Sequence, residues 1–237
     1  KNELSEKKCE LFQDWISRRI KGEPAQYIAG WTEFYGHRFN VNKSVLIPRA
    51  ETERLVDVAI YTLQELEKHQ IVDIGTGSGC IAISVAAEIP SASVLGLDIS
   101  PEALVTAEEN ASINKLLNVQ FLQTDFLQFT PSEPVYDGLL MNPPYIPTNE
   151  MDTLMKEVRD YEPDLALTDH EDGLTFYRHL ADTAQKWVRP GGWLILEVGL
   201  GEHPQKAITC FDTKGFAQLE LIADFNTDDR ILKVQVV

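Results

Sequence analysis

Asn142-Pro143-Pro144-Tyr145 is the segment of this 237-residue chain whose residue types point most directly to chemistry. Asn142 offers a side-chain carbonyl as an acceptor. Proline has no N–H, so the Pro143 carbonyl can face a cleft without a competing donor, and Pro144 after it stiffens the turn. Two acceptors converging on one NH₂ group would hold an amide or aromatic amine with its nitrogen toward a group donor. Such a nitrogen is a poor nucleophile, because its lone pair is delocalised. Accepting both its hydrogens favours the more tetrahedral, more positive nitrogen of a transition state. Tyr145 would wall a planar group. Taken alone, the tetrapeptide has a plainer alternative as a rigid turn.

A second cluster lies upstream. Val72-Asp73-Ile74 runs into Gly75-Thr76-Gly77-Ser78-Gly79 and then an apolar stretch. Glycines let the chain turn tightly and let a ligand approach the backbone, while the following helix start offers free N–H groups. Asp98 stands about 20 residues on, the spacing at which an acid accepts from a ribose diol. A dinucleotide prefers G-x-G-x-x-G, and here the third glycine comes one position early. An acid directly before the loop also suits a sulfonium better than a pyrophosphate. S-adenosylmethionine is therefore favoured over NAD. In Thr124-Asp125-Phe126, the acid could bond an adenine amino group and the ring could cover it; the alternative is a turn cap and a core aromatic.

These residues need a scaffold that gathers separate turns at one edge, and the hydrophobic pattern supplies one. An amphipathic helix over Glu3–Lys21 precedes a segment from Tyr27 to Ile47 with a hairpin turning at Gly36. Then helices and strands alternate. A helix carrying Leu55, Ala59, Leu63 and Leu66 leads to a strand at Ile71–Ile74. Further strands follow at Val94–Asp98, Val119–Gln123, Gly138–Met141 and Trp193–Val198, and two more near Leu219–Ala223 and Ile231–Val236. The intervening helices fall at Ile81–Glu88, Pro101–Asn114 and Leu174–Val188, with a polar loop after Met141. Such alternation predicts an α/β, doubly wound, mostly parallel seven-stranded sheet, which binds ligands at the carboxyl ends of its strands.

Composition narrows the partners. Twenty-one Lys and Arg against 37 Asp and Glu give a formal net charge of −16, which repels phosphate backbones and anionic membranes. Cys9, Cys80 and Cys210 form no C-x-x-C pair, the five histidines show no ligand spacing, and no metal is expected. No apolar stretch reaches membrane-spanning length, so a cytoplasmic, monomeric enzyme is expected.

The chain as a whole resembles the HemK/PrmC family of protein-(glutamine-N5) methyltransferases. The motifs that carry the likeness are Gly22-Glu23-Pro24 with Gln26-Tyr27-Ile28, Glu33-Phe34-Tyr35-Gly36, Leu46-Ile47-Pro48-Arg49 with Glu51-Thr52-Glu53, and Asn142–Tyr145. Beyond these come Tyr161-Glu162-Pro163 with Ala166-Leu167, Asp172-Gly173-Leu174 with Tyr177-Arg178, Pro190-Gly191-Gly192, Glu197-Val198-Gly199 and Asp229-Arg230. The resemblance implies a class I SAM-dependent, Rossmann-like methyltransferase domain over residues 49–237. It further implies that residues 1–48 are the remnant of an N-terminal helical domain plus a β-hairpin linker.

The implied reaction moves a methyl group from S-adenosyl-L-methionine, leaving S-adenosyl-L-homocysteine, to the glutamine of the Gly-Gly-Gln tripeptide in class I peptide chain release factors, modulating translation termination. Cofactor contacts carry over to Gly75, Thr76, Gly77, Ser78, Gly79, Asp98, Phe126 and Asn142, and substrate contacts to Asn142, Pro143, Pro144 and Tyr145. Residues 200–205 depart from the family pattern and receive no role. Two rivals are an N6-adenine nucleic-acid methyltransferase, which the acidic charge opposes, and a SAM-binding protein without catalysis, which the intact Asn142–Tyr145 segment opposes.

Overall fold

Strands buried on both faces must be apolar almost throughout, and those at the centre of this chain are. Of Gln70–Ile74 (β3) every residue but the first is buried, as are five of the six in Tyr136–Met141 (β6). In the computed structural model, which describes residues 5–66, 69–212 and 214–237, these two strands sit side by side in a seven-stranded sheet. The other members are Ser93–Asp98 (β4), Val119–Gln123 (β5), Val188–Glu197 (β7), Gln218–Ala223 (β8) and Asp229–Gln235 (β9), in the order β5-β4-β3-β6-β7-β9-β8. Five strands run parallel. β9 pairs antiparallel with β7, and β8 with β9. A separate hairpin, Trp31–Phe34 (β1) with His37–Asn40 (β2), precedes the sheet and turns at Tyr35-Gly36.

Alternate residues along each strand feed opposite cores. Ile71, Leu140 and Ile195 face Ala50–Leu63 (α3), Cys80–Glu88 (α4) and the hairpin's Phe34 and Phe39. Val72, Leu139 and Leu194 face Thr175–Trp187 (α7) and His203–Thr209 (α8). Pro101–Ile113 (α5) packs beside β4 and β5. Its start is clean: Ser100 accepts from the Ala103 N–H at 3.1 Å and Pro101 needs no partner for a missing donor.

The structure departs from the sequence reading before the hairpin, in the stretch after Met141, and at β7, which begins at Val188 and not at Trp193. Ala25–Ala29 (α2) is a helix, where the aromatic run from Tyr27 pointed to extended chain; Tyr27 turns inward and donates its hydroxyl to the Val45 carbonyl at 2.6 Å. The polar stretch after Met141 contains 3₁₀ turns at Thr148–Thr153 and Asp164–Ala166 and a helix at Lys156–Tyr161 (α6), all too short for periodicity to register. The first helix runs Glu6–Ile20 (α1) with no buried residue, so its apolar stripe of Phe12, Trp15 and Ile16 does not pack on the sheet domain. It is tied down by ion pairs, Arg18 to Glu23 and Arg19 to Glu157, each at 2.6 Å. The expected start of that helix at Glu3 lies outside the described residues.

Candidate active site

Register places the two chemical segments together. Ile74 pairs with Met141, so the glycine loop leaving β3 and the Asn142 segment leaving β6 emerge side by side at the strands' carboxyl ends. The loop then turns on three left-handed glycines, Gly75 (φ +68°), Gly77 (φ +55°) and Gly79 (φ +80°). They differ in what surrounds them. A Cβ at Gly75 would meet nothing within 4 Å and one at Gly77 only the Gly75 carbonyl at 3.9 Å, so both open onto free space. At Gly79 it would lie 2.9 Å from Ile83 Cδ1 and 3.3 Å from Phe121, so that glycine serves helix-on-strand packing.

Asp98 braces the loop from the neighbouring strand. Its Oδ2 accepts from the Gly77 N–H at 2.8 Å and its Oδ1 from the Ser100 N–H at 2.9 Å. A carboxylate has about four lone-pair sites, so acceptor capacity remains for a diol. Burial raises the Asp98 pKa, and the backbone donors oppose it. Asp73 lies deeper. It is fully buried, accepts from the Thr76 hydroxyl at 2.6 Å, and is pushed up to about 7, chiefly by burial.

Around the loop is a cavity of about 500 Å³. Of the residues singled out from sequence, Gly75, Thr76, Gly77, Ser78, Asp98, Asp125, Phe126, Asn142, Pro143 and Pro144 line it; Gly79 and Tyr145 stand outside its wall. Phe126 lines the cavity and is buried against Phe176, His179 and Trp187. The Asp125 carboxylate is engaged by its own turn, accepting from the Leu127 N–H at 3.0 Å and Gln128 Nε2 at 2.6 Å. A cavity with open left-handed glycines, an acid on the next strand and an aromatic in its wall fits a nucleoside with a short charged tail.

Behind Asn142 stands a buried polar chain that sequence reasoning gave no role. Asn142 Nδ2 donates to Thr52 Oγ1 at 3.2 Å, and the Thr52 hydroxyl donates to Glu197 Oε2 at 2.7 Å. Glu197 Oε1 accepts from Arg230 Nη2 at 3.1 Å and from the Tyr145 hydroxyl at 3.3 Å. Burial raises the Glu197 pKa against the pull of Thr52, Arg230 and Tyr145, and it pushes the Tyr145 phenol to about 12. Tyr145 is thus a strut, its ring packed near His203 and under Arg230. The residues of this chain sit far apart in sequence, and the only signal for them was their membership of the motifs that carried the resemblance.

A second strut acts from the other side. Residues 146–173 fold back over the site, with the Ile146 N–H donating to Leu167 O and the Thr148 N–H to Glu171 O, both at 3.0 Å. Gly173 (φ +81°) lies so close that a Cβ there would be 2.2 Å from the Tyr145 carbonyl. His203 pins this arrangement: its Nδ1 accepts from the Gly199 N–H at 3.0 Å, so Nε2 carries the hydrogen toward Gly173 O at 3.1 Å. At the mouth, Glu162 pairs with Arg49 and accepts from the Ile47 N–H at 3.1 Å, fastening the linker to the loop.

Known proteins resemble this chain along most of its length. Residues 53–158 match the Methyltransferase small domain family and residues 1–30 the PrmC N-terminal domain. A release factor glutamine methyltransferase of Thermodesulfovibrio yellowstonii is 36% identical over 98% of this chain and 84% of its own length. The chain belongs to the release factor glutamine methyltransferase family. The family member of Fusobacterium nucleatum is 40% identical over 96% of this chain, which spans 64% of that protein's length. A solved structure described as a release-factor-specific protein-(glutamine-N5) methyltransferase, from Alicyclobacillus acidocaldarius, superposes with a TM-score of 0.51 at 29% identity, covering 84% of this chain and 99% of that one.

Proposed function

We propose that this chain methylates the side-chain amide nitrogen of the glutamine in the Gly-Gly-Gln tripeptide of class I peptide chain release factors, using S-adenosylmethionine. The observation that carries the reading is the register of β3 and β6, which brings the Asn142–Tyr145 segment beside the cavity around the glycine loop. Gly75, Gly77, Asp98 and Phe126 would hold the cofactor, and Asp125 would reach the adenine end. When bound, S-adenosylmethionine supplies an electrophilic methyl group on a sulfonium.

The protein's own part is to bind and orient the glutamine. The Asn142 side-chain carbonyl and the Pro143 backbone carbonyl accept the two amide hydrogens, and Pro144 stiffens the turn that presents them. Held this way, the nitrogen gains tetrahedral character and positive charge at low cost. Its proton becomes strongly acidic as that charge develops, so no strong base is needed beside Asn142. Residues 49–237 carry this chemistry, and the helix and hairpin of residues 1–48 flank it. The substrate is a translation factor, which sets the reaction in the cytoplasm.

Asn142→Ala tests the assignment. Loss of one preorganised polar contact costs on the order of 10²–10³ in turnover. Single-turnover methyl transfer to a class I release factor should fall by at least about 10², while affinity for S-adenosylhomocysteine changes much less. Transfer at the wild-type rate would mean the segment is only a turn.

A further inference from the structure

A side-chain amide has two ends, and only the carbonyl of Asn142 can accept from an incoming NH₂ group. What decides which end meets the cavity lies behind it. Thr52, in the first turn of α3, is 2% exposed, and its hydroxyl touches both Glu197 Oε2 at 2.7 Å and Asn142 Nδ2 at 3.2 Å. A hydroxyl has one hydrogen to give. Glu197, a carboxylate facing the Arg230 guanidinium, only accepts. The Thr52 hydrogen therefore goes to Glu197, leaving the Thr52 oxygen as the acceptor. Asn142 must then turn its NH₂ toward Thr52 and its carbonyl the other way.

We propose that Thr52 and Glu197 form a polarity relay, two positioning residues that fix Asn142 with its carbonyl presented to the substrate amide. The proposal rests on the amide-methylation reading above. The direction of the relay depends on the acid at its far end. In Glu197→Gln the new amide keeps its carbonyl toward Arg230, which has only donors, and so turns its NH₂ toward Thr52. The Thr52 hydroxyl is then free to donate to Asn142, and draws the Asn142 carbonyl away from the cavity. A substitution of equal size thus reverses the polarity of a group one residue removed.

The test compares wild type, Thr52→Val, Thr52→Ser and Glu197→Gln in single-turnover methyl transfer to an unmodified class I release factor, with S-adenosylhomocysteine calorimetry beside it. Thr52→Val and Glu197→Gln should each lower the transfer rate about 10- to 100-fold, the usual loss when a supporting partner of a reacting-site ligand is removed. Affinity for S-adenosylhomocysteine should stay within about threefold, and Thr52→Ser should transfer within about threefold of wild type. In an Asn142→Ala background, Thr52→Val should cost nothing further, because the relay acts only through Asn142. A Thr52→Val or Glu197→Gln enzyme that transfers at the wild-type rate overturns the relay, and so does full additivity with Asn142→Ala. If Thr52→Val fails to fold, Glu197→Gln decides by the same criterion. A wild-type chain that transfers no methyl group to the release factor overturns the reading beneath the relay, and the relay with it.

Discussion

Asp73 is the residue at which burial and charge conflict most openly. It is fully buried near the end of β3, the Thr76 hydroxyl donates to its Oδ2 at 2.6 Å, and its Oδ1 has no partner among the described residues. Desolvation pushes it up to about 7, and the charge on Asp98 adds to the shift. In the unfolded chain an aspartate ionises near about 3.9. Between those values the folded state holds a proton that the unfolded state has lost. The stabilising contribution of this carboxyl is therefore complete below about pH 4 and lost as the pH rises through about 7. Asp73→Asn removes the titration while keeping an acceptor for Thr76. Denaturant unfolding of both proteins between pH 5 and 8 should show the difference in stability moving in favour of the Asn variant as pH rises. A gap that is flat, or that moves the other way, would place the carboxyl in a better-solvated setting than its burial implies.

Among elements, the segment from Asn142 to Tyr145 is held from outside: by α3 through Thr52, by β7 and β9 through Glu197 and Arg230, and by the loop ending at Gly173. Gly173→Ala tests this bracing. The residue has φ +81°, and its Cβ would fall 2.2 Å from the Tyr145 carbonyl. Strain of this kind costs on the order of 1–3 kcal/mol, and the backbone on one side must move. Methyl transfer should drop by at least about tenfold, since misplacing reacting groups by about 1 Å can cost 10². Binding of S-adenosylhomocysteine, proposed above to rest on Gly75, Gly77 and Asp98, should fall far less. Equal loss of both would show that Gly173 stabilises the domain generally.

The same elements show what a sequence displays. The strands and long helices were legible because apolar period marks them, and Gly75–Gly79 and Asp98 because spacing along one β-α-β unit is local. The short helices between Thr148 and Tyr161 escaped because a single turn carries no period. Thr52, Glu197 and Arg230 escaped for another reason. Each is an ordinary polar residue in its own neighbourhood, and only the sheet order brings residues 145 positions apart, Thr52 and Glu197, into one hydrogen bond.

At the scale of the whole molecule, a net charge of −16 and a cavity walled by Asp98 and Asp125 favour a cationic cofactor and disfavour a polyanionic substrate. The domain matches a family whose members are named for release factor glutamine, and its β3–β6 edge brings the Asn142–Tyr145 segment beside the cavity around the glycine loop. The most direct measurement is tandem mass spectrometry of a class I release factor after incubation with this protein and S-adenosylmethionine. One methyl group on the side-chain amide nitrogen of the Gly-Gly-Gln glutamine is the predicted result. A methyl group on any other residue, or an unmodified release factor beside methylated nucleic acid, would contradict it.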